Sequence, residues 1–277
     1  MIVRVWGTRG STPVSSQNYM KYGGSSSCYE IISDAGTRVI VDAGTGIRPL
    51  GASLLKELPV EVHLIFSHYH WDHILGFPFF VPCFIPGNKI HIYGQKKGNL
   101  SAMNILDKHL MSPPNFPVPL SIMGASLTFT DLEDRGKVEL GKNFSMSYLP
   151  MNHPNGVIGM RFEDGDKSFV LMTDIEHISD TIPDPALVEF VKNSNLVAYD
   201  CQYTPDEYPM RVSFGHSTWR AAGNLMIQGG AKNLLMIHHD PDHDDEFIDQ
   251  MVIDANEEFK DDEINFTAAF EGQEIKL

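Results

Sequence analysis

The chain has 277 residues, long for one domain but within the range where layered α/β folds stay single, so one domain with a substantial core is expected. Its 36 acidic residues outnumber 21 basic ones, and the formal charge of -15 repels polyphosphate backbones and disfavours nucleic acid as a bulk partner. Three cysteines, Cys28, Cys83 and Cys201, are odd in number and far apart, which excludes a disulfide framework and fits reduced thiols in the cytoplasm.

The chain opens on the strand-like Ile2-Val3-Arg4-Val5-Trp6, without the basic and apolar regions of a signal peptide. Further strands are expected at 28–32, 38–41 and 61–66, with a helix from Ile47 to Leu58 between the last two. A turn-rich and proline-rich insertion runs from Phe77 to about Met123. It holds a strand at Ile90–Tyr93, a helix around Leu100–Leu110 and the stiff tract Pro113–Pro119, which suits a pocket wall or lid. The apolar stretch from Ile74 to Ile85 is broken by Pro78 and Pro82 and is too short to span a bilayer, so no membrane association is expected.

Strands resume near 126–130, 144–149, 157–162 and 168–172, followed by a helix near 185–192 and a strand at Leu196–Tyr199. A helix from Thr218 to Gln228, a strand at Leu234–Ile237 and an acidic helix from about Asp244 to Phe259 complete the pattern. Carboxylates at the start of that last helix suit a solvated N-terminus. No linker or repeat divides the chain. Two β-rich halves, each ending in helices, predict a four-layer αββα sandwich over residues 1–277.

The segment Ser67-His68-Tyr69-His70-Trp71-Asp72-His73 places three histidines and an aspartate in six consecutive positions, directly after the apolar run ending at Phe66. Four good ligands on one turn can face two directions, so the loop can serve two metal ions. Other potential ligands share a position just past a strand. Asp42 follows Val39–Val41, His153 follows the strand ending at Leu149, Asp174 follows Phe169–Met172, and His238 follows Leu234–Ile237. Strand ends that open into loops are where α/β folds collect their sites. His239 adjoins His238 and competes for the same assignment.

These motifs resemble the metallo-β-lactamase superfamily, whose signature is an HxHxDH loop. The resemblance spans Val41–Gly46, His68–His73, Asn152-His153-Pro154, Thr173-Asp174 and Ile237-His238. It implies that His68, His70 and His153 hold one divalent ion and that Asp72, His73 and His238 hold a second. Asp174 would bridge the two, and Asp42 would orient a ligand histidine from behind. Zinc suits such a set, as do manganese and iron. The pair would deprotonate a bridging water near neutral pH, making a hydroxide the nucleophile with Asp72 counted among the catalytic groups. The chain has no G-x-S-x-G elbow, and its glycines miss the dinucleotide spacing.

Within the superfamily the branch is indicated by Phe214-Gly215-His216-Ser217-Thr218-Trp219-Arg220. This Gly-His-Ser-Thr motif resembles the phosphodiesterase branch, which includes the tRNA-processing tRNase Z enzymes. It implies His216 as proton donor or phosphate ligand, with Asp200 fixing its tautomer. The bland readings are a helix cap with an incidental histidine and a carboxylate that only ends a strand. tRNase Z carries a tRNA-gripping arm, generally between the third-histidine and bridging-aspartate motifs. His153 and Asp174 are 21 positions apart, too close for one. The general pattern instead resembles bacterial phosphodiesterases of cyclic nucleotides, which implies a small phosphodiester as substrate. An asparagine frequent in that group is replaced here by Ser25.

The competing functions are a thioester or lactone hydrolase on the same metals and a non-hydrolytic ligand-binding or sensing protein. A homo-oligomer is compatible with all three. His63, His91, His109 and His177 are expected in core or surface roles, and the cluster Phe77, Phe79, Phe80, Phe84 and Phe116 in the core.

Overall fold

The computed structural model describes all 277 residues. Alternating side chains build two sheets of seven strands each. In the first sheet β1 (Ile2–Gly7), β2 (Cys28–Ile32), β3 (Arg38–Val41), β4 (Glu61–Ile65), β5 (Lys89–Gln95) and β6 (Ser126–Leu132) lie side by side in chain order. The second runs likewise through β7 (Gly136–Gly141), β8 (Phe144–Met151), β9 (Val157–Asp164), β10 (Lys167–Met172), β11 (Leu196–Asp200), β12 (Asn233–Ile237) and β13 (Asn265–Ala268). The last strand, β14 (Glu274–Lys276), returns to pair antiparallel with β1.

The period of two decides the layering. In β3, Val39 and Val41 face the second sheet, whereas Ile40 faces outward. The inner face is shared with Phe144, Met146, Ile158, Met160, Phe162 and Leu171 of the second sheet. Outside the first sheet Ile40, Leu64, Ile90 and Ile92 pack on helix α1 (Ile47–Leu54) and on Phe77 and Phe80. Short helix α2 (Trp71–Ile74) and α3, Ala102–Asn104 continuing into a π-helical Ile105–Leu110, also belong to this side. Outside the second sheet Val170, Met172, Val197, Leu234 and Met236 meet α5 (Trp219–Gly229) and α6 (Asp245–Glu258), with α4 (Pro185–Val191) alongside. The result is the αββα sandwich expected from the sequence.

Three strands were not legible: β7, β13 and β14. Helix α1 also ends at Leu54 rather than Leu58. The acidic helix starts as expected, with Asp244 as N-cap accepting from the Phe247 N–H and with Asp245 and Glu246 in the first turn. Of the phenylalanine cluster, Phe77 and Phe80 are fully buried, Phe84 and Phe116 pack against the core, and Phe79 is half exposed. All three cysteines are buried and unpaired. No helix is long and apolar enough to cross a membrane.

Strand direction places the site. Strands β3 and β4 are parallel, as are β10, β11 and β12. Two antiparallel pairings, β8 with β9 and β9 with β10, make β8 run the same way as β10. Within each sheet these C-terminal ends share one edge, and Asp42, His68–His73, His153, Asp174, Asp200 and His238 follow or end one of these strands, whereas His216 leads into α5.

Candidate metal centre

Three of these strand-end residues, Asp42, Asp174 and His238, adopt left-handed backbone with φ of 63°, 52° and 62°. Such positions cost on the order of 1–3 kcal/mol each and persist where the surroundings over-determine them. Here they turn each side chain off its strand and into the cleft between the sheets.

Two groups of ligand atoms that share one carboxylate result, and a third, Asp200 with His216, adjoins them at His238. His68, His70, His153 and Asp174 form the first, and Asp72, His73, Asp174 and His238 the second. Oδ2 of Asp174 lies 3.6 Å from Nε2 of His68 and 3.7 Å from Nε2 of His153, and Nε2 of His153 is 3.0 Å from Nδ1 of His70. Oδ1 of Asp174 lies 3.0 Å from Nε2 of His73 and 3.2 Å from Nε2 of His238. Oδ2 of Asp72 completes the second group, 3.1 Å from His73 and 3.2 Å from His238. Donors held at 2.0–2.1 Å around one tetrahedral ion stand roughly 3.3 Å apart, so both spacings fit a cation.

The hydrogen bonds behind the imidazoles leave the inner nitrogens free. His73 Nδ1 donates to Oδ2 of Asp42 at 2.7 Å. Asp42 also accepts from the backbone N–H and hydroxyl of Ser67, each at 2.7 Å. Because that hydroxyl donates to Asp42, it accepts from Nδ1 of His68 at 3.0 Å. His153 Nδ1 donates to the Gly215 carbonyl at 2.7 Å, and His238 Nδ1 to Oε1 of Gln202 at 2.9 Å. Each contact fixes a tautomer whose Nε2 lone pair faces the centre. His68 tests the fit most sharply, because its fully buried Nε2 has no hydrogen-bond partner. An orphaned buried polar atom is costly, and a divalent cation resolves it.

Electrostatics agree with that reading. Burial pushes His238 down, but Asp174, Asp72 and Asp200 outweigh it and raise its pKa to about 9. Burial likewise opposes the charge on His73, yet Asp174, Asp72 and Asp42 carry its pKa well above the ordinary value. Burial works against ionised Asp174 as well, but His238, His73 and His68 hold it well below the carboxylate range. In the first group burial is the larger influence and holds His68, His70 and His153 below the ordinary imidazole value.

Of the two adjacent histidines, His238 turns into this cluster. His239 points away and donates from Nε2 to the Ala269 carbonyl at 3.0 Å. The ring of His216 stacks on His238 at 4.8 Å, and its Nδ1 lies 2.8 Å from Oδ2 of buried Asp200. Ser11, Trp71, Asp72, Asp174 and His216 line the mouth above, a cavity of about 400 Å³. His63, His91 and His177 are half-buried and His109 is exposed, all outside the cluster.

Several contributors carried no sequence signal. Ser67 and Gln202 act from behind the histidines, and Ser11 donates its N–H to Oδ2 of Asp72 at 2.8 Å. Gly10 lies flat beneath His238, where a Cβ would come within 2.3 Å of the imidazole. Glu176 holds the loop before His216 through the N–H groups of Ser213 and Gly215.

The family model for the beta-lactamase superfamily domain matches residues 37–239. The chain belongs to the metallo-β-lactamase superfamily. A superfamily relative, ribonuclease Z of Kineococcus radiotolerans, is 22% identical over 264 residues, covering 84% of this chain and 82% of that protein. The metallo-beta-lactamase fold protein YhfI from Bacillus subtilis superposes with a TM-score of 0.73 at 19% identity, covering 99% of this chain and 98% of its own. A diphosphatase from the PhnP family gives 0.67 at 16% identity, covering 100% and 97% respectively. The chain is a metal-dependent hydrolase of this superfamily, with a divalent metal site.

Proposed function

We propose that the chain is a binuclear phosphodiesterase acting on a small phosphodiester such as a cyclic nucleotide. Nε2 of His68, Nδ1 of His70 and Nε2 of His153 would hold one ion, and Asp72 with Nε2 of His73 and His238 the other. Asp174 would bridge them, one oxygen to each group. Zinc is the metal this donor set suits first, with manganese or iron compatible. Ions bound there supply an activated water at neutral pH and a sink for negative charge.

The observation that carries the phosphodiester reading is the His216–Asp200 pair beside the cluster. Asp200 accepts from the Ile175 N–H at 3.2 Å and the Gln202 N–H at 3.0 Å, so it is itself immobile. It fixes Nδ1–H of His216 and directs Nε2 at the mouth. The doubly protonated ring can give the Nε2 proton to the departing ester oxygen as the P–O bond breaks. Ser11 and Gly10 keep Asp72 and His238 in place while this occurs.

The relative's name concerns RNA, but three features favour a small substrate here. Strands β9 and β10 join through the two-residue turn Gly165-Asp166, leaving no room for an arm between His153 and Asp174. The net charge of -15 opposes a polyanion. The residues lining the mouth include Asp72 and Asp174 but no lysine or arginine. Metal-loaded protein assayed on bis(p-nitrophenyl) phosphate, cyclic nucleotides, a thioester and a lactone tests the reading. Turnover of the thioester or lactone without any phosphodiester would overturn it.

A further inference from the structure

A second cavity of about 470 Å³ opens beside His68 and His70, and His216 is not in its lining. Its walls are Tyr69, Leu100 and Ile105, and its polar groups include His109 and Asn155. Neither the metal ligands nor the proposed proton donor explains this space.

Hydrogen bonds and close contacts position two of these walls. The Tyr69 hydroxyl donates to the Gln95 carbonyl at 2.9 Å, and the ring sits against the bare backbone of Gly94, where a Cβ would come within 2.2 Å of that hydroxyl. Lys97 spends its ammonium on the Asn155 and Gly156 carbonyls, each at 2.8 Å, and so ties the turn after His153 to the strand β5 side. Ile105 and His109 both come from the π-helical stretch of α3, which is marked by a bond from Met111 N to the Leu106 carbonyl. Such widened turns recur at functional sites.

We propose that this cavity is the subsite for the nucleobase of a nucleotide substrate. This rests on the phosphodiesterase reading. A planar heterocycle needs apolar faces and hydrogen-bonding groups at its edge, and Tyr69, Leu100 and Ile105 supply the first while Asn155 and His109 supply the second. The volume lies within the range of small-molecule sites. The cavity shares Tyr69 and His70 with the mouth, whereas His216 lines the mouth alone.

The test compares the p-nitrophenyl esters of thymidylate and adenylate with methyl p-nitrophenyl phosphate, which keeps the leaving group and removes the base. At least one nucleotide ester is expected to exceed the methyl ester in kcat/KM by about tenfold or more, as one base–aromatic contact would give. The ratio should collapse towards one in Leu100→Trp and Ile105→Trp, which fill the cavity. Leu100 is partly exposed, so its variant guards against misfolding at buried Ile105. Calorimetric binding of thymidylate, adenylate and methyl phosphate to the metal-loaded protein provides a readout independent of turnover. Equal kcat/KM for all esters, or nucleotides binding no tighter than methyl phosphate, would overturn the subsite. If no ester is cleaved but a nucleotide binds more tightly and both tryptophans weaken it, the subsite stands and the phosphodiesterase reading falls.

Discussion

Nδ1 of His216 lies 2.8 Å from Oδ2 of Asp200, and Asp200 is itself pinned by the backbone N–H groups of Ile175 and Gln202. The pair meets the metal cluster at His238 but contributes no atom to either half of the Asp174-centred set. Its loss should therefore separate proton transfer from metal binding. His216→Ala and Asp200→Asn are each expected to lower kcat on a phosphodiester by about 10²–10⁴, as removal of a general acid does. Metal content by elemental analysis should stay at the wild-type level. Full activity in His216→Ala would refute the assigned role.

Asp174 offers Oδ2 to one histidine group and Oδ1 to the other. Asp174→Asn keeps the shape and removes the charge. Both groups should then weaken together, with metal stoichiometry falling below that of the wild type and activity dropping by more than the roughly 10–100-fold typical of a partner behind a ligand. Competition against a chelating dye measures the affinity. Retention of the full metal complement would contradict the bridging geometry.

Asp42 touches no ligand atom facing the centre, yet it accepts from His73, from the Ser67 N–H and from the Ser67 hydroxyl. Asp42→Ala is expected to cost about 10–100-fold in metal affinity. It also strands buried donors, so unfolding in denaturant should show a loss of about 1–3 kcal/mol. A variant with unchanged metal affinity would show that His73 is oriented by packing alone.

Much of the centre was readable because a ligand must sit where a strand opens into a loop, and the runs before Asp42, His68, Asp174 and His238 are strongly apolar. What stayed hidden depends on pairing between distant segments. Gln202 reaches His238 only because β11 and β12 are parallel neighbours, so residues just past their ends stand side by side. Gly215 has φ +92°, and a Cβ there would come within 2.4 Å of His153 Nδ1, but a glycine in a loop announces no such neighbour. Strand β14 has three residues and is defined by its partner β1 at the other end of the chain. Strand β7 begins Gly-Lys-Val-Glu, a composition with weak β preference, and forms as the edge partner of β8. The Pro113–Pro119 tract, expected as a wall or lid, contributes Phe116 to the core beside Phe79, whereas Leu100, Ile105 and His109 reach the cavity next to the metal cluster.

Metal removal should expose a pH dependence that the loaded protein lacks. His238 is raised from an unfolded value near 6.5 to about 9 in the metal-free fold, and His73 is raised as well. A raised folded pKa contributes stability that is full below the unfolded pKa and is lost as pH rises through the folded one. The chelated protein is therefore expected to show a falling Tm between pH of about 6.5 and 9. Metal binding near neutral pH should also release protons, seen as a buffer-dependent calorimetric enthalpy. A flat Tm across that window, or binding with no proton release, would show that these imidazoles are uncharged without metal.

Phosphodiester chemistry at this centre is tested most directly by steady-state hydrolysis of bis(p-nitrophenyl) phosphate, run beside a thioester and a lactone on one metal-loaded preparation. The diester is expected to turn over with a rate that tracks bound metal, and a cyclic nucleotide, whose alkoxide leaving group needs a proton, should lose about 10²–10⁴ in His216→Ala. Turnover of the thioester or lactone, with the diester untouched, would contradict it.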